Sequence, residues 1–580
     1  MRHSTSASVL MGVLRSRSFI LLLAFPLLNC SYAVLIMSEI TQKLQALGPQ
    51  INRIAQISGT PGLSLGVVHN GNVVHTAHFG RRNSDDAVSS NDDTLHSMAS
   101  LTKIITASAI AQLVHKGKLD WDTPIREYLP EFRIRQDEAG LKATIRDLLS
   151  LRTGISPANT YWGFQNNEAL LDRSQNVAMS AYIGTSKPYG QFVYSQWNYA
   201  LLADVVKHVT GIPIEQYISQ NIFRPLNMAR SSFGALDDSE INVAHTHCTH
   251  DDGTSSRKPD ASSGAVASGL AAAGGARCSM KDYLIFVQAL LQSYKAQVEG
   301  DVDSTPDSIF PLLRTIFTPH VGMGPPGRSG IDYVAYCLGI YRTKLPGMLS
   351  LASSNFYYTL GKKHLRVYGK SLAGTEVFHH SGTSLGHSGA MFLVPSTQTA
   401  VVSFTNSQPL MDPVDFVAQL ALSVLLGEAP SVDFVKAAEL ARSITLSNYK
   451  LLEQAVDKGK TGIPPTKPLA AYQGDYYNAI HNFVMSVTVD GEGLDVRMQH
   501  GKSGFSLLPY DGDTFYWRVN REWEMCEKGM WGFMYKDWHL FRFEIDSNGE
   551  VASVAWRHDP YAASPEVYVK TPSYYSFARL

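Results

Sequence analysis

Ser100 and Lys103 stand three residues apart in Ser-Leu-Thr-Lys, and their types and spacing could do chemistry. On a helix, positions i and i+3 share a face, so the hydroxyl and the amine can meet. A serine hydroxyl at its resting pKa is a poor nucleophile and needs a neighbouring base before it attacks a carbonyl. Lys103 can be that base only where burial or a nearby cation lowers its pKa. Both residues are common, and an exposed, functionless helix pair is the competing reading of this tetrapeptide alone. A second chemical cluster is His245, His247, Cys248 and His250. Those are metal-ligand types, but within six residues of one loop they cannot easily close a tetrahedron, and no partner cluster is evident. The reading adopted is no metal and no cofactor.

The elements that must carry these groups show in the periodicity. The run 63–80 has two β-rich stretches around Asn70-Gly71, a strong hairpin signal. Thr94 to Lys118 reads as one helix ending at Gly117, and Thr144 opens a shorter one. A loop-rich region, 155–195, precedes a helix at 198–209 that stops at Gly211. A polar stretch, 236–275, ends in GLAAAGGARCSMKDYLIF, which enters a helix near Met280. Three β-like segments with Gly-rich turns fill 376–406, and a helix near 413–427 follows. After the prolines at 464, 465 and 468, short alternating runs with Asp-Gly turns predict an all-β barrel or sandwich over roughly 470–570. Aromatic residues between 473 and 541 could belong to a carbohydrate-binding module, but packing inside a barrel explains them more simply.

At 580 residues, two or three domains are expected. A net charge of −1 gives no electrostatic reason to expect nucleic acid or an acidic membrane surface as partner. Five scattered cysteines (30, 248, 278, 337 and 526) leave room for one or two bridges but not for a disulfide scaffold. Residues 1–37 read as a secretory signal: Arg2, Arg15 and Arg17 precede the apolar run Phe19–Leu28, and Ser31-Tyr32-Ala33 supplies small residues. Two alternatives are a membrane anchor, since the apolar stretch continues through Met37, and a cytosolic chain whose translation starts at Met37. The absence of an Asn-x-Ser/Thr sequon after residue 37 favours the cytosolic version.

The segment TLHSMASLTKIITASAIAQLVHKGKLDWDTPIREYLP (94–130) resembles the nucleophile helix of β-lactamase-like serine hydrolases, which include class C β-lactamases, penicillin-binding DD-peptidases and related esterases. TIRDLLSLRTGI (144–155) is similar to the next block of that family, with Leu151 where a His is usual. Tyr194-Ser195-Gln196 looks like its Tyr-x-Asn motif, with Gln196 in place of Asn and Asn198 as second candidate for the amide. His380-Ser381-Gly382-Thr383 resembles its Lys-Thr-Gly or His-x-Gly strand. The three motifs come in the family's order, and the likeness extends over most of 40–427.

The resemblance implies an α+β fold of the β-lactamase/transpeptidase type: an antiparallel sheet flanked by helices, plus a helical subdomain. It places the hydrolase domain at 38–430 and a helical linker at 431–468. The segment opening LAAYQGDYYNAI resembles the lipocalin-like barrel often appended to these hydrolases, here 469–580. It implies Ser100 as nucleophile, Lys103 as its activator and Tyr194 as general base, unless Tyr194 is simply a core tyrosine. Gln196, His380, Ser381, Gly382 and Thr383 would bind substrate. The N–H groups of Ser100 and Thr383 would form the oxyanion hole, and Gly382 would let the substrate backbone come close. A histidine instead of lysine at 380 argues against tight binding of a carboxylate. His379 and His387 read as structural.

The expected activity is therefore hydrolysis of an ester or amide of a small molecule or peptide through an acyl-Ser100 intermediate. An acyltransferase of the same fold, and a catalytically silent scaffold suggested by Leu151 and Gln196, are the alternatives. Pocket walls are expected from 155–195 and 236–330. The oligomeric state is not legible.

Overall fold

A computed structural model describes residues 39–163, 165–237, 239–260, 265–323, 333–356, 368–428, 432–501 and 503–570. Residues 1–37, with their leader, anchor and start-site readings, lie outside that set. No helix among the described residues is long and apolar enough to cross a membrane.

The first half of the molecule is built on an antiparallel sheet of eight described strands: β1 (Gly62–His69), β2 (Asn72–Gly80), β3 (Val321–Gly322), β4 (Val334–Tyr336), β5 (Tyr341–Lys344), β6 (Glu376–Ser384), β7 (His387–Val394) and β8 (Thr399–Thr405). Their order across the sheet is β2-β1-β8-β7-β6-β5-β4-β3. Period-two alternation sends neighbouring residues to opposite faces. Ala390, Phe392 and Val394 of β7 join one apolar core, while Met391 and Leu393 join the other. The first core is closed by α1 (Gly48–Ser58) with two helices late in the chain, introduced below. The second takes in α2 (Thr102–His115), α3 (Trp197–Thr210) and α4 (Met280–Gly300). On the far side lie α5 (Pro413–Leu425), which packs on β1, β7 and β8, and α6 (Phe434–Asp457), which packs on α1 and leads to the barrel.

One long helix over 94–118 does not form. Leu95–Ser97 is a strand paired antiparallel with Ala276–Ser279, Ala99–Leu101 is a 3-10 turn, and the α-helix begins at Thr102. Ala99 has φ +44°, a left-handed conformation costly for a residue with a Cβ, and it separates strand from helix. Pairing with 276–279 outweighs the helical preference of the local sequence. α3 and α5 lie within two residues of expectation, α3 ending at Gly211 in the left-handed region, whereas the linker expected as helical over 431–468 is helical only over Phe434–Asp457.

The C-terminal part is a closed eight-strand antiparallel barrel from Gly474 to Lys570, its last strand pairing with its first at Tyr476↔Lys570. Large side chains fill the interior. Phe505 stacks on Trp517 with ring centroids 4.0 Å apart, and Phe541 stacks on Trp556 at 4.9 Å. Barrel-core packing thus accounts for these aromatics. Between the strands ending at Tyr516 and starting at Leu540, a long connection leaves the barrel and reaches the first part of the molecule, where Arg521 Nη2 donates to Thr249 O at 3.0 Å. A buried His539–Glu524 pair at 3.1 Å anchors it from within.

Candidate active site

Ser100 sits in the 3-10 turn at the head of α2, and every residue from Thr102 to Leu113 is buried. The helix is apolar all round because it is enclosed on all sides. Lys103 therefore enters a fully buried position, and desolvation drives its ammonium pKa well below the usual lysine value. Its Nζ lies 3.0 Å from Ser100 Oγ, 2.8 Å from Gln196 Oε1 and 2.8 Å from the Ala273 carbonyl. Gln196 Oε1 and Ala273 O can only accept. A neutral amine has two N–H donors and one lone pair. Once the donors serve those two oxygens, the lone pair is left for the Ser100 hydroxyl. The arrangement can withdraw the Ser100 proton.

Tyr194 O–H reaches Ser100 Oγ at 2.8 Å. It lies on the extended lead into α3, which is pinned by backbone and side chains: Val193 N–H donates to Leu151 O (2.9 Å), Ser195 Oγ to Ser156 O (3.1 Å) and Trp197 Nε1 to Pro157 O (3.0 Å). The rings of Tyr194 and Tyr199 lie 5.0 and 4.9 Å from Lys103 Nζ. Asn198 is turned away, accepting from Thr153 Oγ1 at 2.7 Å, so Gln196 alone supplies the amide. Leu151, buried at φ +57°, serves the backbone of this support and is not on the cavity wall.

The third motif runs along β6 beside the serine turn. A Cβ added to Gly382 would lie 2.5 Å from Met98 O, 3.0 Å from Ser100 N and 3.1 Å from Leu101 N. The expected reason for this glycine is approach of a substrate; the structure shows that the backbone of the 98–101 turn occupies the space. His380 Nδ1 is 2.6 Å from Ser381 O, which can only accept, so Nδ1 carries the proton. Its Nε2, 3.1 Å from Tyr336 Oη, then accepts from that hydroxyl. Burial lowers the His380 pKa to about 3. His380 is thus a neutral ring with both nitrogens engaged by protein. Ser381 Oγ donates to Ala352 O.

A cavity of about 420 Å³ opens over these groups, bordered by Ser100, Tyr194, Gln196, His380, Ser381 and Thr383. Lys103 lies beneath it. Sequence reasoning missed the Ala273 carbonyl, Tyr199 and Tyr336. A signal for the first was present in the small-residue run 269–275, which lets the chain pack closely on α2: Ala272 O accepts from Thr106, and a Cβ on Gly274 would lie 3.4 Å from the Ala99 backbone. The resemblance of the C-terminal domain implies that it covers or shapes the cleft or stabilises the main domain; Met525, Trp531 and Phe533 of its connection border the cavity, as do parts of 155–195 and 265–274.

The histidine cluster disperses. His247 contacts Asn406 O (3.0 Å) and Ser84 N (3.0 Å), and His250 contacts Glu522 (2.5 Å) and Ser256 (3.0 Å). Cys248 forms a disulfide with Cys526 of the barrel connection. His379 and His387 are buried and bonded to Thr343 and Thr246.

Residues 51–426 match the description of the beta-lactamase family. The chain belongs to that family. A second match, residues 458–570, is to a domain of unknown function (DUF3471), which covers the barrel of this beta-lactamase-family chain. Protein flp of Staphylococcus aureus (strain N315) is 29% identical over 178 residues, 30% of this chain and 35% of that protein. PbpX of Bacillus subtilis (strain 168) is 31% identical over 169 residues, 29% of this chain and 40% of that one. The matched region thus spans little more than a third of these relatives. Among solved structures, the octameric penicillin-binding protein homologue from Pyrococcus abyssi has a TM-score of 0.52 at 20% identity, covering 91% of this chain and 99% of that one. At that identity the likeness speaks for the fold, and it extends over both halves.

Proposed function

We propose that this beta-lactamase-family chain is a serine hydrolase cleaving an ester or amide through an acyl-Ser100 intermediate. The observation that carries the proposal is the buried Lys103 Nζ 3.0 Å from Ser100 Oγ and bound to Gln196 Oε1 and Ala273 O, so that in its neutral form two donors are taken and the lone pair is left for Ser100. In the proposed cycle Lys103 takes the hydroxyl proton as Ser100 Oγ attacks the carbonyl carbon. Negative charge moves to the carbonyl oxygen, where the N–H groups of Ser100 and Thr383 stabilise it. Tyr194, in contact with Oγ, relays the proton from Lys103 to the leaving alcohol or amine as the acyl bond breaks. Water then attacks the acyl-enzyme by the same path in reverse, releasing the acid and restoring Ser100.

Neutral His380 supports an esterase-like chemistry over recognition of a substrate carboxylate. The contacts of Ser100 Oγ with both Lys103 Nζ and Tyr194 Oη, at the edge of an open cavity, support catalysis over a silent scaffold. Turnover of p-nitrophenyl acetate tests the proposal: the parent protein releases nitrophenol and Ser100→Ala does not. Equal turnover by Ser100→Ala would end it.

A further inference from the structure

The cavity over Ser100 is lined around the reacting groups by apolar side chains from the beta-lactamase part, Trp162, Leu270, Leu385, Leu410 and Met411. α6 and the barrel connection add Tyr449, Met525, Trp531, Phe533 and Met534. Trp531, Phe533 and Met534 are only half-buried, so apolar surface faces the cavity. Their placement is fixed. Glu524 holds Tyr449 Oη at 3.2 Å and His539, Gln408 Nε2 donates to Met530 O at 3.1 Å, and Cys526 is bridged to Cys248.

Charge is nearly absent from this wall. Among the described lining residues Arg521 alone carries a permanent charge. Its guanidinium is directed to Asp251 Oδ1 (2.6 Å) and Thr249 O (3.0 Å), and its side chain is 2% exposed. With His380 neutral, no described residue of the lining is placed to pair with a carboxylate, phosphate or ammonium group of a ligand.

We infer that the substrate is an uncharged ester or amide with an apolar tail, which the barrel connection covers while the scissile carbonyl lies at Ser100. This inference rests on the hydrolase reading above. The barrel is then the part that selects substrate: it contributes no reacting group, and Trp531 and Phe533 determine the length and bulk of tail accepted. Burying one methylene is worth a factor of about four in kcat/KM, from roughly 0.8 kcal/mol per CH₂.

The test is a series of p-nitrophenyl esters from acetyl to decanoyl, with a parallel series of acetate esters of lengthening alcohols to locate the tail on the acyl or leaving-group side. The full-length protein is compared with Trp531→Ala, Phe533→Ala and Met534→Ala, each checked by thermal midpoint. The expected result is a rise of about fourfold per methylene over several methylenes in one series. At least one variant lowers the octanoyl-to-acetyl ratio, or its counterpart in the alcohol series, fivefold or more. Ser100-dependent acetyl turnover with both series flat, or preference for a carboxylate-bearing ester of equal length, would overturn the inference while leaving the hydrolase reading intact. A rise unchanged in all three variants would overturn the role of the barrel. If no ester shows Ser100-dependent turnover, both readings fall.

Discussion

Replacing Gly382 by alanine should separate catalysis from folding more sharply than any other single change. The added Cβ would sit 2.5 Å from Met98 O, and ordinary contact begins near 3.4 Å, so β6 and the serine turn must part by about 0.9 Å. Backbone forms this contact, and no rotamer can relieve it. Such overpacking costs about 1–3 kcal/mol of stability. A shift of roughly 1 Å between Ser100 and the Thr383 amide is worth about 10²-fold in rate, or roughly 2.7 kcal/mol of barrier. Ester hydrolysis should therefore fall about a hundredfold in kcat with a small change in KM, while the thermal midpoint drops by only a few degrees. Gly389→Ala, across the strand pair from Gly382, is the control. Its Cβ meets Leu101 Cδ1 at 2.9 Å and the Phe404 ring, side chains that can shift, so it should keep most of its kcat. A folded Gly382→Ala protein with kcat within threefold of the parent would refute the placement of β6 as part of the oxyanion site.

Three further outcomes follow from burial and cross-linking. Burial drives the Lys103 pKa well below its ordinary value of 10.5, so between the lowered value and 10.5 the unfolded chain binds the extra proton and stability rises with pH toward 10.5. The midpoint of Lys103→Met minus that of the parent should fall steadily from pH 7 to 10; a flat difference would mean an ordinary lysine. Burial, reinforced by the Asp415 charge, raises the Asp412 pKa to about 7, so the folded chain binds more protons between 3.8 and about 7 and loses stability as pH rises through that window. Asp412→Asn should therefore gain on the parent in thermal midpoint from pH 4 to 7 and hold that gain above; a gain confined to low pH would contradict it. Under non-reducing denaturing conditions, alkylation should spare Cys248 and Cys526 and label Cys278 and Cys337, and prior reduction should lower the midpoint, disulfides typically contributing about 2–4 kcal/mol. Labelling of Cys248 and Cys526 without reductant would refute the bridge.

Much of the fold was legible because it rests on patterning. The three β runs of 376–406 alternate with turns and form β6, β7 and β8, and the Asp-Gly turns after residue 470 mark barrel hairpins. The Ser100/Lys103 pair was legible because one helical turn brings the two together. What stayed hidden depends on residues distant in sequence. Whether Gln196 or Asn198 faces Lys103 is decided by Thr153, which claims Asn198. The Ala273 carbonyl, 170 positions from Lys103, is a backbone atom that any residue would supply, so only the small side chains around it hint at close packing. Thr94–Ser97 looks helical until its partner strand at 276–279 is known. Cys248 and Cys526 are 278 residues apart, and nothing local pairs them. The barrel connection shows the same limit, since Trp531 and Phe533 read as core aromatics and instead face the cavity.

The central claim is that neutral Lys103 activates Ser100 for acylation, and timed labelling with a fluorophosphonate probe, followed by intact mass and peptide mapping, measures it most directly. One adduct on Ser100 is expected in the parent protein, none in Ser100→Ala, and labelling at least a hundredfold slower in Lys103→Met. An adduct of equal yield in Ser100→Ala, or labelling of Lys103→Met at the parent rate, would contradict it.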